Sequence, residues 1–217
     1  MNMPWFGEIT GMHWVCALGV LTGCYALGCV TLGYYLVRLA TGKDIRSVGS
    51  GSVGASNVGR TLGPWGFGAT LAGDLGKGAV AVWVTERFAE SEGMKLVAIL
   101  AVVTGHVWPV QLRFHGGKGM ATAAGALTAF NPLLMAGLFA AFGMACAGLR
   151  SVVLAGLAAF SLLPAVNGLL GESAASTAGL TVLTALVLFA HRENLKEEFA
   201  ELAAKRRNRV RPGVSQE

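Results

Sequence analysis

A chain of 217 residues with 53% hydrophobic and 13% charged side chains and a mean hydropathy of +0.57 lies far from the averages of soluble domains. Apolar runs of near membrane-spanning length recur along it, so it reads as one integral membrane domain over 1–217, with a basic tail over about 195–217. The net charge of +5 does not point to nucleic acid, because no folded basic face with base-reading or stacking groups is visible.

The first apolar run spans roughly His13 to Ala40. Glu8 and no Lys or Arg precede it, and it exceeds the apolar length of a signal peptide, so it is expected to be retained. A glycine-rich loop follows over 41–63. A second span is expected from Pro64 to Phe88, with Asp74 and Lys77 on one face. A third is expected from Leu96 to Leu112. Met120 to Leu149 is almost continuously apolar but is interrupted at Asn131-Pro132. Further spans are expected from Ser151 to Leu170 and from Ala175 to His191.

If the 120–149 stretch is two helices, the first is only about 18 Å long at 1.5 Å per residue. Seven spans with the N-terminus outside then place every Lys and Arg except Lys77, Arg87 and Lys95 on the cytoplasmic side, tail included. Six spans would put either the tail or the 41–63 loop outside. The positive-inside rule therefore favours an all-α protein of seven transmembrane helices with a cytoplasmic C-terminus. Cys16, Cys24, Cys29 and Cys146 lie in apolar stretches without a CxxC pair and read as small core or lipid-facing residues.

That topology gathers three polar elements on one face. Ser50, Gly51, Ser52, Gly54, Ser56, Asn57 and Arg60 form a loop rich in glycine and hydroxyls, the composition of an anion-binding concavity, and arginine can grip phosphate with two parallel hydrogen bonds. Gly116-Gly117-Lys118-Gly119 precedes an apolar helix, whose N-terminus offers partial positive charge. It is not a Walker A motif, because glycine follows the lysine. His191 sits at a helix C-terminus with Asn194 one turn on. His106 reads first as a hydrogen-bonding residue that fixes a helix end, and second as an acid or base. Asp74 and Lys77 read first as an internal ion pair, since isolated charges in hydrocarbon are costly. Those two charges keep a second reading open, a transporter for a phosphorylated or organic anion.

The ordered set of motifs resembles the bacterial acyl-phosphate:glycerol-3-phosphate acyltransferase family, PlsY. The pattern S-G-N-[IV]-G-A-T-N-x-x-R-x-x-G stands here as Ser50 to Gly63. G-H-x-[FW]-P followed by F-x-G-G-K-G-x-A-T stands as Gly105 to Pro109 and Phe114 to Thr122. H-R-E-N stands as His191 to Asn194, and D-x-x-K-G as Asp74 to Gly78. Ser52 replaces the usual Asn, Ser56 replaces Thr, and the serine-rich run after the fifth helix keeps only Ser151. The resemblance implies a seven-helix enzyme of the bacterial inner membrane with a cytoplasmic site. It would transfer an acyl chain from acyl-phosphate to glycerol 3-phosphate, without metal or cofactor. Ser50, His191 and Asn194 are then the candidate catalytic residues. Gly51, Ser52, Gly54, Ser56, Asn57, Arg60, Gly116, Gly117, Lys118 and Gly119 are the candidate phosphate-binding residues. A non-catalytic descendant would be expected to lack Arg60, Lys118 or His191, and all three are present.

Overall fold

The structure, a computed structural model, describes residues 11–149, 151–198 and 200. Every regular element among them is helical: α1 (Gly11–Cys29), α2 (Leu32–Thr41), α3 (Ala55–Phe88), α4 (Glu92–Val107), α5 (Met120–Phe130), α6 (Pro132–Gly148), α7 (Val152–Ser161), α8 (Leu163–Leu169) and α9 (Ala174–Ala190). After a bend of 59° comes α10 (Arg192–Glu198). The expectations resting on Glu8, on Arg150 and on the basic residues from Lys205 to Arg211 lie outside the described residues.

The first apolar segment, expected as one helix, breaks after Cys29. Val30 closes a turn on the Leu27 carbonyl at 3.1 Å before α2 starts. The break strips carbonyls at Gly28, Cys29 and Val30 of helical donors. Lys77 Nζ donates to Gly28 (3.1 Å) and Val30 (2.9 Å), and Gln111 Nε2 donates to Cys29. An interrupted helix in apolar surroundings is tolerable when neighbouring groups meet its freed carbonyls in this way.

The loop expected over 41–63 ends earlier, because α3 begins at Ala55 and carries Asn57 and Arg60 on helical backbone. Only Gly63 departs from helix (φ 76°, ψ −168°), and Pro64 restarts it. A left-handed glycine followed by proline is a sound stop signal in sequence, which is why the helical turns before it went unread.

Asn131 separates α5 from α6 as an N-cap, its Oδ1 accepting from Leu133 and Leu134 N–H at 3.0 Å each. The segment expected as one span over 151–170 is bent by 44° between α7 and α8. Among the described residues, two helical stretches are long and apolar enough by length and composition to cross a membrane, Trp14–Thr41, which includes the break between α1 and α2, and Glu92–Leu112. The number rises to four when the bent pairs count as one span each, with α5 and α6 shorter.

α4 runs through the middle of the bundle. Ile99, Val102 and Val103 pack in one cluster with Leu127, Leu134, Leu163, Leu180 and Leu183. Small residues let the backbones close in: a Cβ on Gly78 would strike the Thr122 carbonyl, and one on Gly125 the Leu75 carbonyl, fixing α3 against α5. Membrane helices commonly pack through such contacts. The outer faces are apolar too, with Leu39, Phe88 and Leu169 exposed. Polar contacts gather at the ends. At one end, Asn131 Nδ2 meets Glu172 and Ser173 Oγ meets Glu92, both at 2.7 Å. At the other, Arg46 Nη1 donates to the Leu112 carbonyl (2.8 Å) and Ser151 Oγ to Glu198 (2.7 Å).

Candidate active site

The site lies at this second end and is built on two loops and the end of α9. The first loop is stabilised from within. Asp44 caps the turn Ile45–Ser47 by accepting from Arg46 N–H, and the Arg46 guanidinium grips the same carboxylate at 2.6 to 3.2 Å. Those bonds hold the Asp44 carboxyl below the usual carboxylate range. Beneath the loop, Val37, Ile45, Val53, Val58 and Leu112 form a small apolar cluster.

Asn57 organises the loop's backbone. Its Oδ1 accepts from Ser50 N–H (3.0 Å), and its Nδ2 faces the carbonyls of Val48 (2.8 Å), Ser52 (2.9 Å) and Ile45 (3.3 Å). Gly49 (φ 58°) has no room for a Cβ because Asn57 Oδ1 occupies the position. Asn57 is buried, and its amide has no hydrogen left for a ligand. The expectation that it binds phosphate directly is corrected: it shapes the loop that could. Ser52 Oγ likewise accepts from Gly54 N–H (3.2 Å). Ser50, Ser56 and Arg60 are exposed and present their polar groups outward from this frame.

The second loop follows α4. The chain turns at Val110–Leu112 and reverses at Arg113 and Phe114, both with positive φ (53° and 62°). It then returns along the end of α4. Gly116 N–H donates to the Val107 carbonyl (3.1 Å) and Gly117 N–H to the His106 carbonyl (3.0 Å). Those two amides were expected to cradle phosphate and instead dock the loop. Gly119 is the N-cap of α5, so the start of α5 carries the helix-end positive potential and Lys118 carries the full charge.

The third element meets the second directly: Lys118 Nζ donates to Asn194 Oδ1. His191, buried at the end of α9, has Nδ1 2.8 Å from the Val187 carbonyl. Nδ1 is therefore the donor, and Nε2 is free to accept in the neutral ring. Burial, opposed by Glu197 and reinforced by Arg60, holds the Lys118 ammonium below the usual lysine range. Lys118 in turn lies within electrostatic reach of His191. Lys118 and Asn194 are thus in contact, with Arg60 and His191 within electrostatic reach of Lys118, a grouping whose cations suit phosphate. Ser151 is occupied elsewhere, accepting from Leu154 N–H (3.3 Å) as the cap of α7 and donating to Glu198.

Four contributors escaped the sequence reading. Arg46 and Gln111 stitch the loops to their neighbours, Glu197 of α10 lies within electrostatic reach of Lys118, and Glu198 holds Ser151 at the start of α7. Their residue types are ordinary for loops and tails, and no spacing singles them out.

Residues 18–201 match the model of the glycerol-3-phosphate acyltransferase family. The glycerol-3-phosphate acyltransferase 1 of Desulfitobacterium hafniense (strain Y51) is 39% identical over 190 residues, covering 88% of this chain and 94% of that one. The enzyme of Desulforudis audaxviator (strain MP104C) is 40% identical over 172 residues, covering 79% and 86%. Among solved structures, the glycerol 3-phosphate form of PlsY, an integral membrane glycerol 3-phosphate acyltransferase, superposes with a TM-score of 0.78 at 31% identity. That match covers 85% of this chain and 92% of the other. By sequence over most of its length and by fold, the chain belongs to the PlsY family of glycerol-3-phosphate acyltransferases.

Proposed function

We propose that the protein transfers an acyl chain from acyl-phosphate to the 1-hydroxyl of glycerol 3-phosphate, forming lysophosphatidic acid and releasing phosphate, as the first step of phospholipid synthesis. The hydroxyl oxygen bonds to the acyl carbon, the bond from that carbon to the phosphate oxygen breaks, and the hydroxyl proton leaves with the phosphate. Because the donor is already activated, the protein's contribution is positioning and stabilisation of developing charge. Arg60, Lys118 and the start of α5 hold the phosphates. His191 through Nε2 and Asn194 through its remaining amide hydrogens orient glycerol 3-phosphate. Ser50, Gly51, Ser52, Gly54 and Ser56 shape the first loop against the ligand, with Gly116, Gly117 and Gly119 shaping the second.

The contact of Lys118 with Asn194 carries this reading, because it joins motifs 76 residues apart in the chain at one cationic site. The transporter reading has lost its main support, since Asp74 and Lys77 are occupied in holding helices together. The same reading includes seven spans, an external N-terminus and a site on the cytoplasmic face of the bacterial inner membrane.

Purified protein supplied with acyl-phosphate and glycerol 3-phosphate is expected to release phosphate and lysophosphatidic acid in equal amounts. Acyl-CoA is expected to fail as donor, and Lys118→Ala to abolish both products. Turnover with acyl-CoA, or a trapped acyl-serine at Ser50, would overturn the proposal.

A further inference from the structure

The strongest polar cluster outside the proposed site lies inside the bundle. Lys77 Nζ sits 2.9 Å from Asp74 Oδ1 and 2.8 Å from His106 Nδ1, and all three residues are buried. Asp74 Oδ1 lies within ion-pair distance but off the hydrogen-bond axis, so that contact is electrostatic. It also lies 3.3 Å from His106 Nδ1. An ammonium can only donate, so Nδ1 is the acceptor and the ring proton sits on Nε2.

The far side of that ring bears on the phosphate loop. A Cβ on Gly117 would fall on His106 Nε2, and one on Gly116 on the His106 carbonyl. The same carbonyl accepts from Gly117 N–H at 3.0 Å. One residue therefore touches the loop through both ring and backbone, immediately before Lys118.

We infer that Lys77 and His106 form a positioning pair, in which the buried ammonium fixes the imidazole and the imidazole seats Gly117, thereby setting where Lys118 and the start of α5 stand. The inference rests on the phosphate-binding role proposed for Lys118. Neither residue touches substrate. Lys77 also donates to the Gly28 and Val30 carbonyls, so the same anchor ties the break between α1 and α2 to the loop.

The test reads Lys118 itself. Its amine is acylated with a water-soluble N-hydroxysuccinimide acetate across alkaline pH, with and without glycerol 3-phosphate, and the modified peptide is quantified by mass spectrometry. The groups facing Lys118 are Arg60 from α3, His191 at the end of α9, and Asn194 and Glu197 from α10, and all are retained. The variants are His106→Asn, which keeps an amide for Lys77 but withdraws the ring from Gly117; Gly117→Ala, which pushes on the ring from the loop; and the charge-neutral pair Lys77→Met with Asp74→Asn.

In each variant that elutes and melts as a folded protein, the labelling midpoint of Lys118 is expected to rise toward that of an ordinary lysine. The KM for glycerol 3-phosphate is expected to increase about 10- to 100-fold, the scale of a misplacement near 1 Å, with kcat changing less. Folded variants with unchanged labelling and KM would overturn the inference. So would loss of folding in all three, because a purely structural role would then account for the cluster. If glycerol 3-phosphate fails to protect Lys118 in the wild type while the variants still shift its midpoint, the phosphate reading fails and the positioning pair stands.

Discussion

Asn57 shows how much a single amide can carry. Replacing it with alanine leaves Ser50 N–H and the Ser52 carbonyl without their partner, while the Val48 carbonyl keeps only Gly51 N–H. Each group left unpaired in a buried setting costs on the order of 1–3 kcal/mol. Asn57→Ala is therefore expected to lower the melting temperature in detergent and raise the KM for glycerol 3-phosphate together. Ser50→Ala, at an exposed position, is expected to leave the melting temperature in place. A variant at 57 that loses affinity with no change in melting would restore direct ligand contact. The sequence could not separate these roles, because an amide turned into its own loop and one presented to a ligand look the same. His106 was legible, as a histidine that fixes a helix end, because a glycine-histidine pair before a proline suits that task.

Lys118 carries a second prediction at this scale. Its folded pKa is depressed by burial. Between that value and an ordinary lysine's of about 10.4 the unfolded chain binds more protons, so this group makes stability rise with pH across that window. Bound phosphate acts the other way, favouring the cation. Affinity for glycerol 3-phosphate should therefore be full below the folded pKa and weaken as pH rises through it. Measured at saturating donor, KM is expected to climb on the alkaline side in the wild type. In Lys118→Arg it should stay flat, because a guanidinium remains protonated. An equal climb in both would assign the titration to another group.

Among the elements, α3 and α5 depend on contacts with no slack. A Cβ on Gly125 would meet the Leu75 carbonyl, carbonyl carbon and Cα, whereas one on Gly143 in α6 meets nothing within 4 Å. Gly125→Ala is expected to destabilise the protein by about 1–3 kcal/mol through overpacking. Gly143→Ala should be neutral or stabilising by about 0.5–1 kcal/mol, since alanine favours helix. Thermal unfolding in one detergent decides it, and equal melting would show that α3 and α5 separate without cost. Hydropathy revealed that these helices exist, and Asn131-Pro132 and Gly63-Pro64 marked two real boundaries. The break at Val30 carries no such signal, since its freed carbonyls are met by Lys77 and Gln111, 47 and 82 residues further along the chain. A window of neighbouring residues holds no trace of partners that distant.

At the scale of the molecule, the charges and the folded ends agree. Glu92, Asn131, Glu172 and Ser173 meet at one end, while Arg46, Lys118, Asn194 and Ser151 lie at the other. The excess of Lys and Arg in the loops of the second end is the ground for the proposed cytoplasmic orientation, in which the site would draw glycerol 3-phosphate from the cell interior. Single cysteines at Ser173 and Ser47, with Cys16, Cys24, Cys29 and Cys146 changed to alanine, test the arrangement. A membrane-impermeant maleimide is expected to label Ser173→Cys in spheroplasts and Ser47→Cys only in inverted vesicles. Labelling of both from the same side would break the seven-span arrangement, because an odd number of crossings separates residues 47 and 173 in it. The reverse pattern would keep the number of crossings and turn the site outward. The proposed reaction would then lose its supply of cytoplasmic substrate, so the orientation and the chemistry stand or fall together.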